Sequence, residues 1–150
     1  MSDNTIIRKA NESDLDEILA LINSPKADNG TAMEHRDANT VYLSILDDSN
    51  YFQVVASTEE GIAGMISLVI IMQMTHEGST TAFMTDLIIA ENIENKNTLA
   101  QDLMQYCKDL AQEYGCYKLV CHSDYQTELL TSSCQAIGLE ASSPAFVLAE

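Results

Sequence analysis

The spacing of apolar residues changes at Tyr51, and this change restricts the fold more than any other feature of the chain. Before it, Leu15, Ile18, Leu19 and Ile22 fall at i, i+3, i+4 and i+7, which gives a helix one apolar face. A second helical stretch, about Ala32 to Leu46, turns Tyr42, Ile45 and Leu46 toward a core. From Tyr51 the period is two. YFQVVAS reads as a strand and Glu59-Glu60-Gly61 as a tight turn; the return strand presents Ile62, Gly64, Ile66, Leu68, Ile70 and Met72 on one face. After the HEGS turn, Thr80 to Ile89 forms the next strand, so three consecutive strands are antiparallel.

The second half of the chain adds a crossover. A stripe of Leu99, Leu103, Cys107, Leu110, Ala111 and Tyr114 predicts a helix over Thr98–Tyr114, which Gly115 terminates. YKLVCH, residues 117–122, is then a strand that a crossover helix lays parallel to the one ending at Ile89. Thr127 to Ile137 is a last amphipathic helix and Ala145 to Ala149 a closing strand. At the front, Thr5 to Lys9 is a short strand, and Ser13 with Asp16 forms a capping arrangement. The order β-α-α-β-β-β-α-β-α-β predicts an α/β (α+β) fold with a mixed, mostly antiparallel sheet flanked by helices, in a single domain over 1–150.

Composition narrows the function classes. With 46% apolar and 20% charged residues, the 150-residue chain has the profile of a folded protein. No apolar run approaches the roughly 18 to 20 residues of a membrane helix, and MSDNT lacks the features of a signal peptide, so a cytoplasmic protein with no membrane partner is expected. A net charge of −16 argues against nucleic acid and favours a cationic partner, although such a surface also serves solubility alone. Cys107, Cys116, Cys121 and Cys134 form no CxxC pair and read as free thiols. His35, His76 and His122 show no ligand spacing, so no metal is expected. A homodimer is compatible with these readings.

The element order, together with IIRKANESDLDEILALI (6–22) and LAQDLMQYCKDLAQEYGCYKLVCH (99–122), resembles the GNAT family of N-acetyltransferases over nearly the whole chain. The resemblance implies a twisted sheet opened between its fourth and fifth strands. Acetyl-CoA lies in the opening, its pyrophosphate on the N-terminus of the crossover helix, and the acceptor amine enters from the other side. The physics is general: a helix start leaves N–H groups unpaired, and its dipole favours an anion.

Residue by residue, the family's Q/R-x-x-G-x-G/A loop falls on Asn95, Lys96, Asn97, Thr98, Leu99 and Ala100, of which only Ala100 matches outright. Asn95 and the Thr98 hydroxyl can still donate to phosphate, and Lys96 brings a positive charge against Glu91 and Glu94; equally, the stretch can be a polar turn with Thr98 as a helix cap. Backbone around Leu87, Ile88 and Ile89 would hold the thioester carbonyl. Cys134 stands where the family carries a catalytic tyrosine, and Thr127 where it carries an asparagine. A thiol with a pKa of about 8.5 can protonate a leaving thiolate, but Cys134 also lies on an apolar stripe and suits core packing. Asp86, the acid within the Thr80–Ile89 strand, would be the general base, or else a structural acid. His122 and Tyr125, at the end of the fifth strand, border the expected crevice and would contact substrate, or else belong to the surface.

The resemblance implies an N-acetyltransferase that moves acetyl from acetyl-CoA to a primary amine, and the charge of the chain makes a cationic small molecule or peptide the expected acceptor. The alternative is a catalytically impaired module of the same fold that binds a ligand or protein. An acidic imitation of nucleic acid is a third reading of the charge.

Overall fold

The structure is a computed structural model and describes residues 4–24, 34–122, 127–142, 146 and 148. Five strands, β1 (Ile6–Lys9), β2 (Tyr51–Thr58), β3 (Gly61–Met72), β4 (Thr80–Ile89) and β5 (Lys118–Cys121), form one sheet in sequence order. The first four are antiparallel to their neighbours, whereas β5 runs parallel to β4, as the crossover requires. Helices α1 (Leu15–Ile22) and α2 (His35–Asp47) pack on one face against Val55, Met65 and Ile88. Helices α3 (Lys96–Glu113) and α4 (Thr127–Ala136) cover the other face, over Phe52, Val54, Ile66, Leu68 and Met84.

Several local expectations shift by a few residues, each for a definable reason. The cap before α1 is formed by Asn11 and Asp14, not by Ser13 and Asp16. The Asn11 side chain accepts the Ser13 N–H at 3.0 Å, and Asp14 accepts the Asn11 N–H at 2.8 Å. Asp16 instead faces His35, at 2.7 Å. Helix α2 begins at His35 rather than Ala32, which lies outside the described residues. Helix α3 begins two residues earlier than expected, because the Asn95 carbonyl already accepts the Leu99 N–H at 3.1 Å; Thr98 is therefore inside the first turn and is not a cap.

The single apolar face expected for β3 is broken by bulges. Ile62 packs toward α1, Ala63 and Ile66 pack toward α3, and Met72 is exposed. The closing strand over Ala145–Ala149 falls mostly outside the described residues; Phe146 and Leu148 are in coil.

Two features hold the scaffold under the site. Helix α3 stops as expected: Gly115 (φ +69) gives its N–H to Gln112 and Cys116 gives its own to Ala111, each at 3.0 Å. At the other end of the molecule Arg8 on β1 grips buried Asp14 with both guanidinium nitrogens, at 2.7 and 3.0 Å. The Tyr42 hydroxyl on α2 donates to the Asn11 carbonyl at 2.6 Å, and burial pushes its pKa up to about 12. Arg8, Asp14, Asn11 and Tyr42 thereby tie β1, α1 and α2 together.

The Arg8 hydrogen bonds hold the Asp14 carboxyl below its ordinary range against the opposing effect of burial. A depressed folded-state pKa stabilises the protein above the unfolded value of about 3.9 and ceases to do so as pH falls through the folded value. Asp14→Asn should therefore lower the urea midpoint at pH 7 and flatten its acid-side decline below about pH 4, measured by urea titration across pH.

Candidate active site

Strand β4 carries a break in its ladder. Met65 pairs with Ile88 and Ser67 with Thr85, so two β4 residues, Asp86 and Leu87, stand opposite Ile66 alone. This is a β-bulge, a device that re-aims side chains next to active sites. Asp86 takes the left-handed conformation that the bulge requires, at φ +55, which costs most L-residues about 1–2 kcal/mol and which Asp tolerates better than most. Leu87 and Ile89 are buried toward α3 and Ile88 toward α1, so these three have only backbone to offer a ligand. Asp86 is half-buried and is the only polar side chain of the four.

Strand β5 pairs with β4 over four residues, from Thr81↔Lys118 to Met84↔Cys121, and the His122 N–H then donates to the Met84 carbonyl at 2.9 Å. Strand β4 continues from Thr85 to Ile89 with no strand beside it on that edge among the described residues.

A six-residue loop, 90–95, leads from β4 into α3. The Ala90 N–H donates to Ala63 O at 2.9 Å and the Ile93 N–H to Ala90 O at 3.3 Å. Asn95 is the N-cap residue, but its side chain makes no capping hydrogen bond, and no acid lies in the first turn. The first-turn amides are thus left to a ligand or to water, at the positive end of an 18-residue helix. Asn95, Asn97 and Thr98 are exposed and Lys96 half-buried, whereas Leu99 and Ala100 bury their side chains in the core.

Helix α4 lies across this helix start. Ser132 Oγ approaches Asn97 Oδ1 at 3.4 Å. The next residue, Ser133, is fully buried, and its hydroxyl has no hydrogen-bond partner among the described residues. Cys134, packed against the α3 core, shares a hydrogen bond with Cys121 of β5; this bond draws the Cys134 thiol pKa down and drives that of Cys121 up.

On the opposite face of the sheet, sequence reasoning missed a polar row. Gln53, Ser67 and Thr85 are cross-strand neighbours on β2, β3 and β4. Gln53 and Ser67 are buried, with Gln53 Nε2 donating to Ile66 O and Ser67 Oγ to Gln53 Oε1, each at 3.2 Å; Tyr51 OH reaches Ser67 Oγ at 3.3 Å. The available signal was a lone polar residue inside a mainly apolar run, Gln53 in YFQVVA and Ser67 in MISLVIIM, where each buried polar group needs a partner. Two cavities flank the region. One, of about 250 Å³, lies beside the 90–95 loop, and Glu59, Glu60 and Glu94 make it unsuited to phosphate. The other, of about 170 Å³, is mainly apolar and lies between α1 and α2 with Gln53 in its wall. Among the described residues no group of three or more His, Cys, Asp or Glu could hold a metal.

A profile of the Acetyltransferase (GNAT) family matches residues 15–129. The chain belongs to the GNAT acetyltransferase family. Its solved structural neighbours share the fold at low identity. They include an acetyltransferase from Trypanosoma brucei (19% identity, TM-score 0.81, covering 98% of this chain and 100% of that one). A glucosamine-6-phosphate N-acetyltransferase from Arabidopsis thaliana is similar over 99% of this chain and 98% of its own, at 15% identity and TM-score 0.77. An aminoglycoside N-acetyltransferase in complex with CoA covers 98% and 95%, at 15% identity and TM-score 0.75. No curated protein matches the chain.

In this GNAT acyltransferase most of the expected site residues lie on the elements around the β4–α3 junction. Asp86 to Ile89 end β4, Asn95 to Ala100 begin α3 immediately afterwards, and His122 follows β5. Thr127 opens α4, where its carbonyl accepts the Thr131 hydroxyl at 2.9 Å, and Cys134 lies two turns further on. Tyr125 lies outside the described residues. The strained φ of Asp86 yields a test that separates folding from chemistry: Asp86→Gly should leave stability unchanged or raise it by up to about 1 kcal/mol in urea titration while acetyl transfer falls, whereas Asp86→Val should cost about 1–2 kcal/mol.

Proposed function

We propose that the chain transfers the acetyl group of acetyl-CoA to a primary amine of a cationic small molecule or peptide. The observation that carries this reading is the bulge at Asp86, ten residues before the first residue of a helix whose N-cap side chain makes no capping bond. The two features supply an acid–base group and an anion site on one edge of the sheet, as amine acetylation requires.

In this reading the α3 amides, the Lys96 ammonium and the polar side chains of Asn95, Asn97 and Thr98 hold the pyrophosphate. Backbone N–H groups in the Leu87–Ile89 stretch stabilise the carbonyl oxygen as negative charge develops on it. Asp86 takes a proton from the incoming ammonium; the amine nitrogen then bonds to the carbonyl carbon, the C–S bond breaks, and the surplus proton on the new amide nitrogen passes to water. Cys134 gives its proton to the departing sulfur, and the Cys121 hydrogen bond stabilises the thiolate that remains. The acidic surface favours a cationic acceptor, with net charge −16. His122, Tyr125 and Thr127 are left as contacts at the mouth of the site.

The test is calorimetric titration with acetyl-CoA beside a thiol-release assay over a panel of amines. Saturation at micromolar to sub-millimolar cofactor is expected, together with release driven by at least one amine. Binding without release over the whole panel would favour the ligand-binding module, and absence of binding would remove both transfer and cofactor. Cys134→Ala should lower kcat by about 10- to 100-fold at unchanged acetyl-CoA affinity. Thr98→Gly should tighten acetyl-CoA, because it removes the side chain between the helix backbone and the phosphates.

A further inference from the structure

The polar row on the α1/α2 face has a fixed direction. Gln53 Nε2 lies 3.2 Å from the Ile66 carbonyl, which can only accept, so the amide nitrogen must face it. The Gln53 carbonyl oxygen therefore faces Ser67, 3.2 Å away, and Ser67 must donate its single hydroxyl proton there. With that proton committed, Ser67 Oγ can only accept from Tyr51, 3.3 Å away. The Tyr51 proton is committed in turn, and any further group that approaches its oxygen must be a hydrogen-bond donor.

Placement makes this consequential. Tyr51 begins β2 in the row Tyr51–Val69–Phe83, next to the row Gln53–Ser67–Thr85 on the same face, and its side chain reaches across to Ser67. Thr85 directly precedes Asp86, which lies near enough to help burial raise the Tyr51 pKa. Tyr51 is half-buried, while Ser67 is fully enclosed and Gln53 nearly so. The phenol oxygen is thus the outer end of a buried relay that begins at a backbone carbonyl.

Resting on the reading of this site as an amine acetylation centre, we infer that Tyr51 Oη accepts a hydrogen bond from the N–H of the acceptor amine, and that Ile66, Gln53 and Ser67 fix its polarity. Such a terminus selects primary ammonium and amine groups. It disfavours acceptors that present a carboxylate or phosphate oxygen at the same point, since two acceptors would meet there with no proton between them.

The experiment titrates the full chain with spermidine, without cofactor, at about 0.3 M salt so that diffuse attraction to the acidic surface is screened. Saturable binding is expected in the parent protein. Tyr51→Phe should weaken it about tenfold or more, the effect of losing a hydrogen bond to a charged group. Ser67→Ala should weaken it as well although Tyr51 remains, since the phenol proton is then free to turn outward. Urea titration of Tyr51→Phe checks that the fold is intact. Parental spermidine affinity in Tyr51→Phe, or no saturable binding in the parent, would overturn the inference. The two readings fail separately: absent thiol release with Tyr51-dependent spermidine binding removes acetyl transfer, whereas full transfer with unchanged affinity in Tyr51→Phe removes this role for Tyr51.

Discussion

The β-bulge at Asp86 is the constraint on which the rest of the site depends. An extra residue in β4 cannot be absorbed by regular pairing, so one residue must leave the extended conformation. Left to itself, a non-glycine residue at positive φ would relax. It persists here because the three residues that follow are anchored on both faces: Leu87 and Ile89 in the α3 core, Ile88 in the α1 core. Burial of three large aliphatic side chains, worth about 1.5–3 kcal/mol each, outweighs a local strain of about 1–2 kcal/mol. The same anchoring brings α3 close over the end of β4. Gly64 permits this, since a Cβ there would sit 2.8 Å from Ile89 Cδ1 and 3.2 Å from Leu103 Cδ1.

Architecture was legible in the sequence because it rests on periodicity. The alternation from Tyr51 to Ile89, the stripe of α3 and the glycine ending it are local patterns that fix the three strands and the crossover helix, although bulges interrupt the alternation within β3 and β4. Register was less legible. The Ser13/Asp16 pair satisfied the spacing of a cap, but no local pattern ties a β1 arginine to either residue; only the fold brings Arg8 onto Asp14, where a bidentate pair and the Asn11 amide settle which acid serves as the cap.

The site itself was legible only as far as it follows from the chain's local order. Asp86 and the start of α3 are adjacent in sequence, so reading the strand–helix junction found them together. The bulge was invisible because nothing in FMTDLII distinguishes a paired aspartate from a left-handed one. Tyr51, Gln53 and Ser67 were hidden for a different reason: they meet across strands, and a lone Gln in YFQVVAS reads as the outward half of an alternating strand until a helix is seen to cover it. Helix α2, which does so, showed a core-facing side in Tyr42, Ile45 and Leu46 but not which part of the sheet it covers.

The charge of the chain and the charges of its ligands also have to be reconciled. A net charge of −16 opposes an anionic pyrophosphate, and Glu91 and Glu94 stand close to the helix start. Yet charges farther away than about 8 Å are largely screened at physiological salt. The local balance is then set by the α3 amides, the helix dipole and Lys96 against those two exposed carboxylates. For the proposed cationic acceptor the same acidity acts in the favourable direction, with Asp86 near a phenol oxygen that can only accept. In the proposed reading the bulge divides the edge of the sheet into an end that holds an anion and a face that attracts a cation, and a transfer between oppositely charged partners needs both.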